Sequence, residues 1–215
     1  MLNKPFNLLK WDNIVERVRA CKNKILLTDL ELIENIKHAV SKKLIQANEK
    51  ITKKVYRNFK EFTATIENEL IVIESNLEHI SNIGFRIQKD AAKGICNIEF
   101  YGGHLAGSAK ELERAGLAII KEERMLKHGC KHYVLEDVLT GQILQKTEFP
   151  DTWDMHKMME KIVEGFDNII EGIFSEERLR NVLIIQTKEG LKIKVVLDTI
   201  ENKLQLVTAI PQFKL

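Results

Sequence analysis

Apolar residues recur from Leu26 to Ile80 in steps of three and four, through Ile33, Ile36, Val40, Leu44, Ile51, Phe59, Ile66 and Ile73. That is the helical period. No glycine or proline interrupts the chain between Pro5 and Gly84, so the usual helix breakers are missing. Thr28-x-x-Glu31 has the form of a capping box, which predicts a helix start near Thr28. A break is expected near Asn48–Thr52. So long a run with one apolar stripe needs a partner: a helical hairpin, an oligomer seam or the second half of the chain.

After Gly84 the texture changes. Glycines become regular and short β-type runs appear. Residues 95–101 read as a strand, 108–115 as a helix ended by Gly116, and 117–120 as a short strand. Residues 132–139 and 142–147 flank Thr140-Gly141 and read as a hairpin. Residues 154–173 form an amphipathic stretch whose Met155, Met158 and Met159 belong to a core. Residues 181–187, 191–197 and 204–210, with short turns between, make an antiparallel meander. The expected fold class is α+β: long N-terminal helices over residues 1–75, then a domain over 76–215 with antiparallel sheet and flanking helices.

Composition sharpens this only slightly. Apolar residues make up 44% and charged residues 30% of the 215-residue chain, with a net charge of +2, as in a folded soluble domain. Cys21, Cys96 and Cys130 are odd in number and lack CxxC spacing, against a disulfide framework or a cysteine zinc site. No apolar run is long enough to span a bilayer, and residues 1–11 lack a signal-peptide core and cleavage site. Between Lys37 and Lys60 the charges are mostly positive. A face of that kind holds phosphates or simply faces solvent.

Candidate chemistry rests on histidines. There are six, none in HExxH or another metal-ligand spacing. GxSxG, P-loop and GxGxxG motifs are absent, which removes support for serine-hydrolase and nucleotide-cofactor readings. Gly102-Gly103-His104 sets a histidine on a tight turn ahead of a predicted helix. There it either reaches a ligand or is merely a turn residue. Two imidazoles and a lysine suit metal-independent RNA transphosphorylation. One imidazole takes the ribose 2′-OH proton and the other protonates the leaving 5′-oxygen. The ammonium offsets charge growing on the phosphoryl oxygens. Composition does not single out this reaction.

Four blocks between residues 77 and 215 resemble the bacterial EndoU endoribonuclease family. Glu78-His79-Ile80-Ser81-Asn82-Ile83-Gly84 is similar to its HI…G block, and Gly102-Gly103-His104 to its GGH. Gln145-Lys146-Thr147-Glu148-Phe149-Pro150-Asp151-Thr152-Trp153 resembles its GKTxFPxxW, with Gln145 in place of the glycine, and Val207-Thr208-Ala209-Ile210-Pro211 resembles its terminal strand. Lys188–Val195 is similar to its DGxKI hairpin. The resemblance implies His79 and His104 as the acid–base pair, Lys146 as stabiliser of the phosphorane, and Thr208 as a contact to base or phosphate. Ile210 takes the substrate-binding position where the family commonly has tyrosine. Base–aromatic stacking is worth about 1–3 kcal/mol, so uridine preference is not implied. His128 and His132 stand as alternatives for the first imidazole. Phe149 and Trp153 read as core anchors.

The resemblance further implies a toxin secreted or delivered into the cytoplasm of a target cell. It would cut RNA, often tRNA, to 2′,3′-cyclic phosphate ends, with no cofactor, and a cognate immunity protein would cover its active site. Two other readings fit the same residues. One is a catalytically inactive RNA- or protein-binding module on this fold. The other is a helical interaction protein with a purely structural sheet.

Overall fold

The computed structural model describes residues 8–52, 61–66, 69–75, 80–175 and 177–213. Helix α1 spans Trp11–Ala20, strand β1 Ile25–Leu26 and helix α2 Leu30–Thr52. The capping residue of α2 is Asp29, one position beyond the expected Thr28. Its Oδ1 accepts the Leu32 N–H at 3.1 Å. Arg17 of α1 donates to both carboxylate oxygens of Asp29 at 2.9 Å, so the same residue caps α2 and ties it to α1. Leu32, Ile33, Ile36, Val40, Leu44 and Ala47 form the buried stripe of α2, at the spacing the sequence predicts.

The helical reading of residues 1–75 fails at Glu61–Ile66 and Glu69–Ser75. Strands β2 (Glu61–Ile66) and β3 (Glu69–Ser75) form an antiparallel hairpin. Ala64, Ile66, Ile71 and Ile73 are buried in alternation. Spacings of three and four between Ile66, Leu70 and Ile73 coincide with helical periodicity. The β-branched run Ile71-Val72-Ile73, and the threonines of β2, favour the pleated conformation once a sheet is available. Helix α2 runs through the expected break at Asn48–Thr52, and residues 53–60 beyond it lie outside the described residues.

The remaining elements are β4 (Ile83–Asp90), β5 (Ile95–Gly102), helix α3 (Ser108–Arg114), β6 (Ala118–Met125), a 3₁₀ turn (Lys127–Gly129), β7 (Lys131–Asp137) and β8 (Ile143–Glu148). They continue through helix α4 (Met155–Phe166), β9 (Ile169–Glu171), β10 (Arg180–Gln186), β11 (Lys192–Ile200) and β12 (Lys203–Gln212). The fold is α+β with antiparallel sheets. Strands run in the orders β1-β5-β4, β6-β7-β8 and β2-β3-β12-β11-β10-β9. The one parallel pairing among the described residues joins Glu74–Ser75 of β3 to Gln205–Leu206 of β12. Helix α4 stops short of the expected residue 173, because Asn168 gives its carbonyl to Gln186 and Ile169 joins β10.

Two apolar cores organise the chain. One joins α1 and α2 to β4, β5, α3 and the β6-β7-β8 sheet, through Ile14, Ile36, Ile98, Leu112, Tyr133 and Leu135. The other joins the β2–β3 hairpin and α4 to the six-stranded sheet, through Ile66, Ile73, Met159, Phe166, Leu183 and Ile193. Neither core lies on one side of residue 75, and Ile51 packs against both. Phe149, Met155, Met158 and Met159 are buried, and Trp153 stacks on Phe149 with ring centroids 5.6 Å apart.

Much of the basic run on α2 is structural. Lys37 pairs with Glu34 at 2.6 Å, and Lys50 with the buried Glu111 at 3.7 Å. Lys43 donates to the Ala115 carbonyl at 2.6 Å and lies over the Trp11 ring, a cation placed at the carboxyl end of α3. Lys53, Lys54, Arg57 and Lys60 lie outside the described residues. Among the described residues no helix is long and apolar enough to cross a membrane.

Candidate functional site

The loop from Gly102 to Gly107 joins β5 to α3, and its shape follows from its glycines. Gly102, Gly103 and Gly107 all have positive φ, a region that side chains resist. A Cβ on Gly103 would stand 2.5 Å from Cγ1 of the buried Ile83. Ile83 is itself held by Asn48 of α2. The Asn48 Oδ1 accepts its N–H at 2.8 Å and the Asn48 amide donates to its carbonyl at 3.0 Å. The long helix therefore buttresses the strand on which the glycine turn rests.

His104 is pinned three ways. Its N–H donates to the Ile80 carbonyl at 3.0 Å, and its carbonyl accepts the Phe149 N–H at 2.9 Å. Its Nδ1 lies 3.0 Å from the Thr147 carbonyl oxygen. A carbonyl only accepts, so Nδ1 carries the proton and the neutral ring has its lone pair on Nε2.

Strand β8 brings the lysine. Lys146 Nζ donates to the Gly102 carbonyl at 2.7 Å. Burial pushes its amine down to about 8, and the Coulombic attraction of Glu148 opposes the shift. Glu148 follows two positions later, on the same strand face. It is fully buried and accepts the Gly107 N–H at 2.8 Å and the Ala109 N–H at 2.5 Å. A carboxylate at the first turn of α3 satisfies donors that a helix leaves unpaired. Burial raises the carboxyl of Glu148, while Lys146 and these two N–H groups lower it. Strand β8 therefore holds the His104 loop at both ends, at Gly102 through Lys146 and at Gly107 through Glu148. Sequence motifs assign no role to Glu148. The signal available was its spacing, a carboxylate two strand positions from the candidate lysine.

The remaining candidates fall elsewhere. His79 lies outside the described residues. His132 is 6% exposed, and neither ring nitrogen has a hydrogen-bond partner among the described residues. It sits directly across from Thr147 in the β7–β8 register. His128 is exposed in the 3₁₀ turn with φ of 59°. On β12, the buried Ala209 and Pro211 alternate with Thr208 and Ile210, which occupy the opposite, outer face of the sheet. Strand β12 lies against β8. The structure thus ties His104 and Lys146 to one loop, and the strand of Thr208 and Ile210 contacts β8, which carries Lys146.

Two grooves of about 600 Å³ or slightly less mark the surface, and neither is lined by His104, Lys146 or Thr208. No family model, curated protein or solved structure matches this chain.

Proposed function

We propose that the protein is a metal-independent endoribonuclease, with His104 and Lys146 in the reacting centre. The observation that carries this reading is the joint anchoring of the two residues. The Lys146 ammonium meets the Gly102 carbonyl at 2.7 Å, and the His104 ring meets the Thr147 carbonyl at 3.0 Å, so loop and strand hold both groups in fixed geometry. In the reaction, one imidazole removes the 2′-OH proton and the oxygen attacks the adjacent phosphorus. The P–O5′ bond breaks, and a second imidazole protonates the departing 5′-oxygen. The products are a 2′,3′-cyclic phosphate and a 5′-hydroxyl. The resemblance of Glu78–Gly84 to the EndoU block supplies His79 as the second imidazole, and Ile80 of that block accepts the His104 N–H. Lys146 stabilises the phosphorane, and Thr208, with Ile210, contacts the nucleotide. By the same resemblance the substrate is tRNA in a target cell, and an immunity protein is the partner in the producer.

The test is to incubate EDTA-treated protein with tRNA and to analyse the new ends. Cyclic phosphates that appear without added metal support the assignment; intact RNA at every protein concentration refutes it. A second reading, a binding module without catalysis, is favoured by one observation: neither groove described above is lined by His104 or Lys146. It requires RNA retention without cleavage by the wild-type chain.

A further inference from the structure

Beyond the His104 loop, a groove of about 600 Å³ runs between the outer face of the six-stranded sheet and the turn that joins β6 to β7. Lys192 and Gln212 contribute from the sheet, Leu126, Lys127 and His128 from the turn, and Phe213 from the chain beyond β12. The register explains the floor. Lys192 is paired with Gln212, and Lys194 with Ile210. Side chains two apart on a strand share a face, so Lys192 and Lys194 project beside Ile210 and Gln212. That row begins at Thr208, so the groove continues the strand face on which the candidate nucleotide contacts lie. Gly190 opens the far end. The His128 ring sits over it, with Cε1 3.8 Å from where a Cβ would be.

The charges in this groove are unspent. Lys127 and Lys192 make no ion pair among the described residues, whereas Lys131 and Lys161 are locked to Asp151 and Glu189. Glu171 is the single carboxylate in the lining. Uncompensated cations along an open strand face, with an aromatic ring and apolar wall beside them, match what a flexible polyanion with flat bases requires. We propose that this groove binds a single-stranded RNA segment flanking the scissile nucleotide, with Lys127 and Lys192 on its phosphates and Phe213 against a base. The inference rests on the ribonuclease reading for its ligand.

The experiment measures binding of a short fluorescein-labelled single-stranded RNA by anisotropy across a salt series. Full-length protein is used on a His104→Ala background, so that the RNA survives. Lys127→Ala and Lys192→Ala are each expected to weaken binding and to reduce the slope of log K against log salt by about 0.7, the value for one phosphate contact on a single strand. Glu171→Gln is expected to tighten it. Unchanged affinity and slope in both lysine variants, with circular dichroism showing intact folds, would overturn the proposal. So would an absence of RNA binding by the parent, which would turn the groove toward a protein ligand. Cleavage by the wild-type chain is scored separately. Loss of binding in the lysine variants with no wild-type cleavage sinks the catalytic reading and leaves the groove standing. Cleavage with unaltered binding in the variants does the reverse.

Discussion

The Nδ1 atom of His104 lies 3.0 Å from the carbonyl oxygen of Thr147, so strand β8 sets the tautomer of the histidine on the glycine turn. An imidazole whose Nδ1–H is committed to a fixed carbonyl has a defined orientation, and proton transfer falls to Nε2. Replacing His104 by alanine is expected to lower RNA cleavage by about 10²–10⁴-fold, the usual contribution of one positioned acid or base. Cyclic-phosphate formation from tRNA measures it, and wild-type rates in His104→Ala would remove the residue from the mechanism.

On the proposed ribonuclease reading, Lys146 is expected to set the alkaline limit. Its amine is pushed down to about 8 by burial, so the ammonium that would stabilise the proposed phosphorane is lost as pH rises through that value. Activity should fall above about pH 8. Glu148 holds the amine up, so Glu148→Gln should move this limb of the pH–rate profile to lower pH. A limb that stays in place would show that Lys146 does not govern it.

The same group has a stability signature of defined sign. Its folded value, about 8, lies below the ordinary 10.5. Between these values the unfolded chain binds the proton more readily, so the contribution of Lys146 makes the folded state more stable as pH rises through the window. Urea titrations across that range should show the rise, and Lys146→Met should flatten it.

Gly103 and Gly107 separate steric need from backbone need. A methyl group on Gly103 collides with Ile83 and must also adopt positive φ. Gly103→Ala should cost about 1–3 kcal/mol of packing strain in addition to the backbone penalty and should displace His104. At Gly107 nothing lies within 4 Å of the added atom, and only the backbone cost, about 1 kcal/mol, is expected. Equal losses for the two variants in chemical denaturation would contradict this.

Asp137 organises the β7–β8 turn. Buried, it accepts the N–H groups of Leu139 at 2.9 Å, Thr140 at 3.0 Å and Gln142 at 3.1 Å, and the Thr140 hydroxyl. Asp137→Ala strands these donors and should cost about 2–3 kcal/mol. Because β8 carries Lys146 and Glu148, activity should fall along with the denaturation midpoint.

Local pattern alone determined much of this protein. The stripe of α2, the strand ending at the glycine turn, the short helix beyond it, the β7–β8 hairpin and the closing meander are all set by periodicity and turn residues within a few positions of one another. So was the placing of a histidine on a glycine turn. Tertiary structure decided the rest. Residues 61–75 carry spacings that satisfy both helix and strand, and pairing of β3 with β12, some 130 residues away in the chain, selects the strand. The cap of α2 moved to Asp29 because Arg17 meets it there. Thr28 offers no such charge partner. Lysines on α2 that resemble a phosphate-binding face are drawn to the carboxyl end of α3 and to Glu111. Glu148 became a site residue only when strand β8 came against the first turn of α3. Its spacing from Lys146 puts it on the same strand face, but the donors it satisfies lie some 40 residues away in the chain.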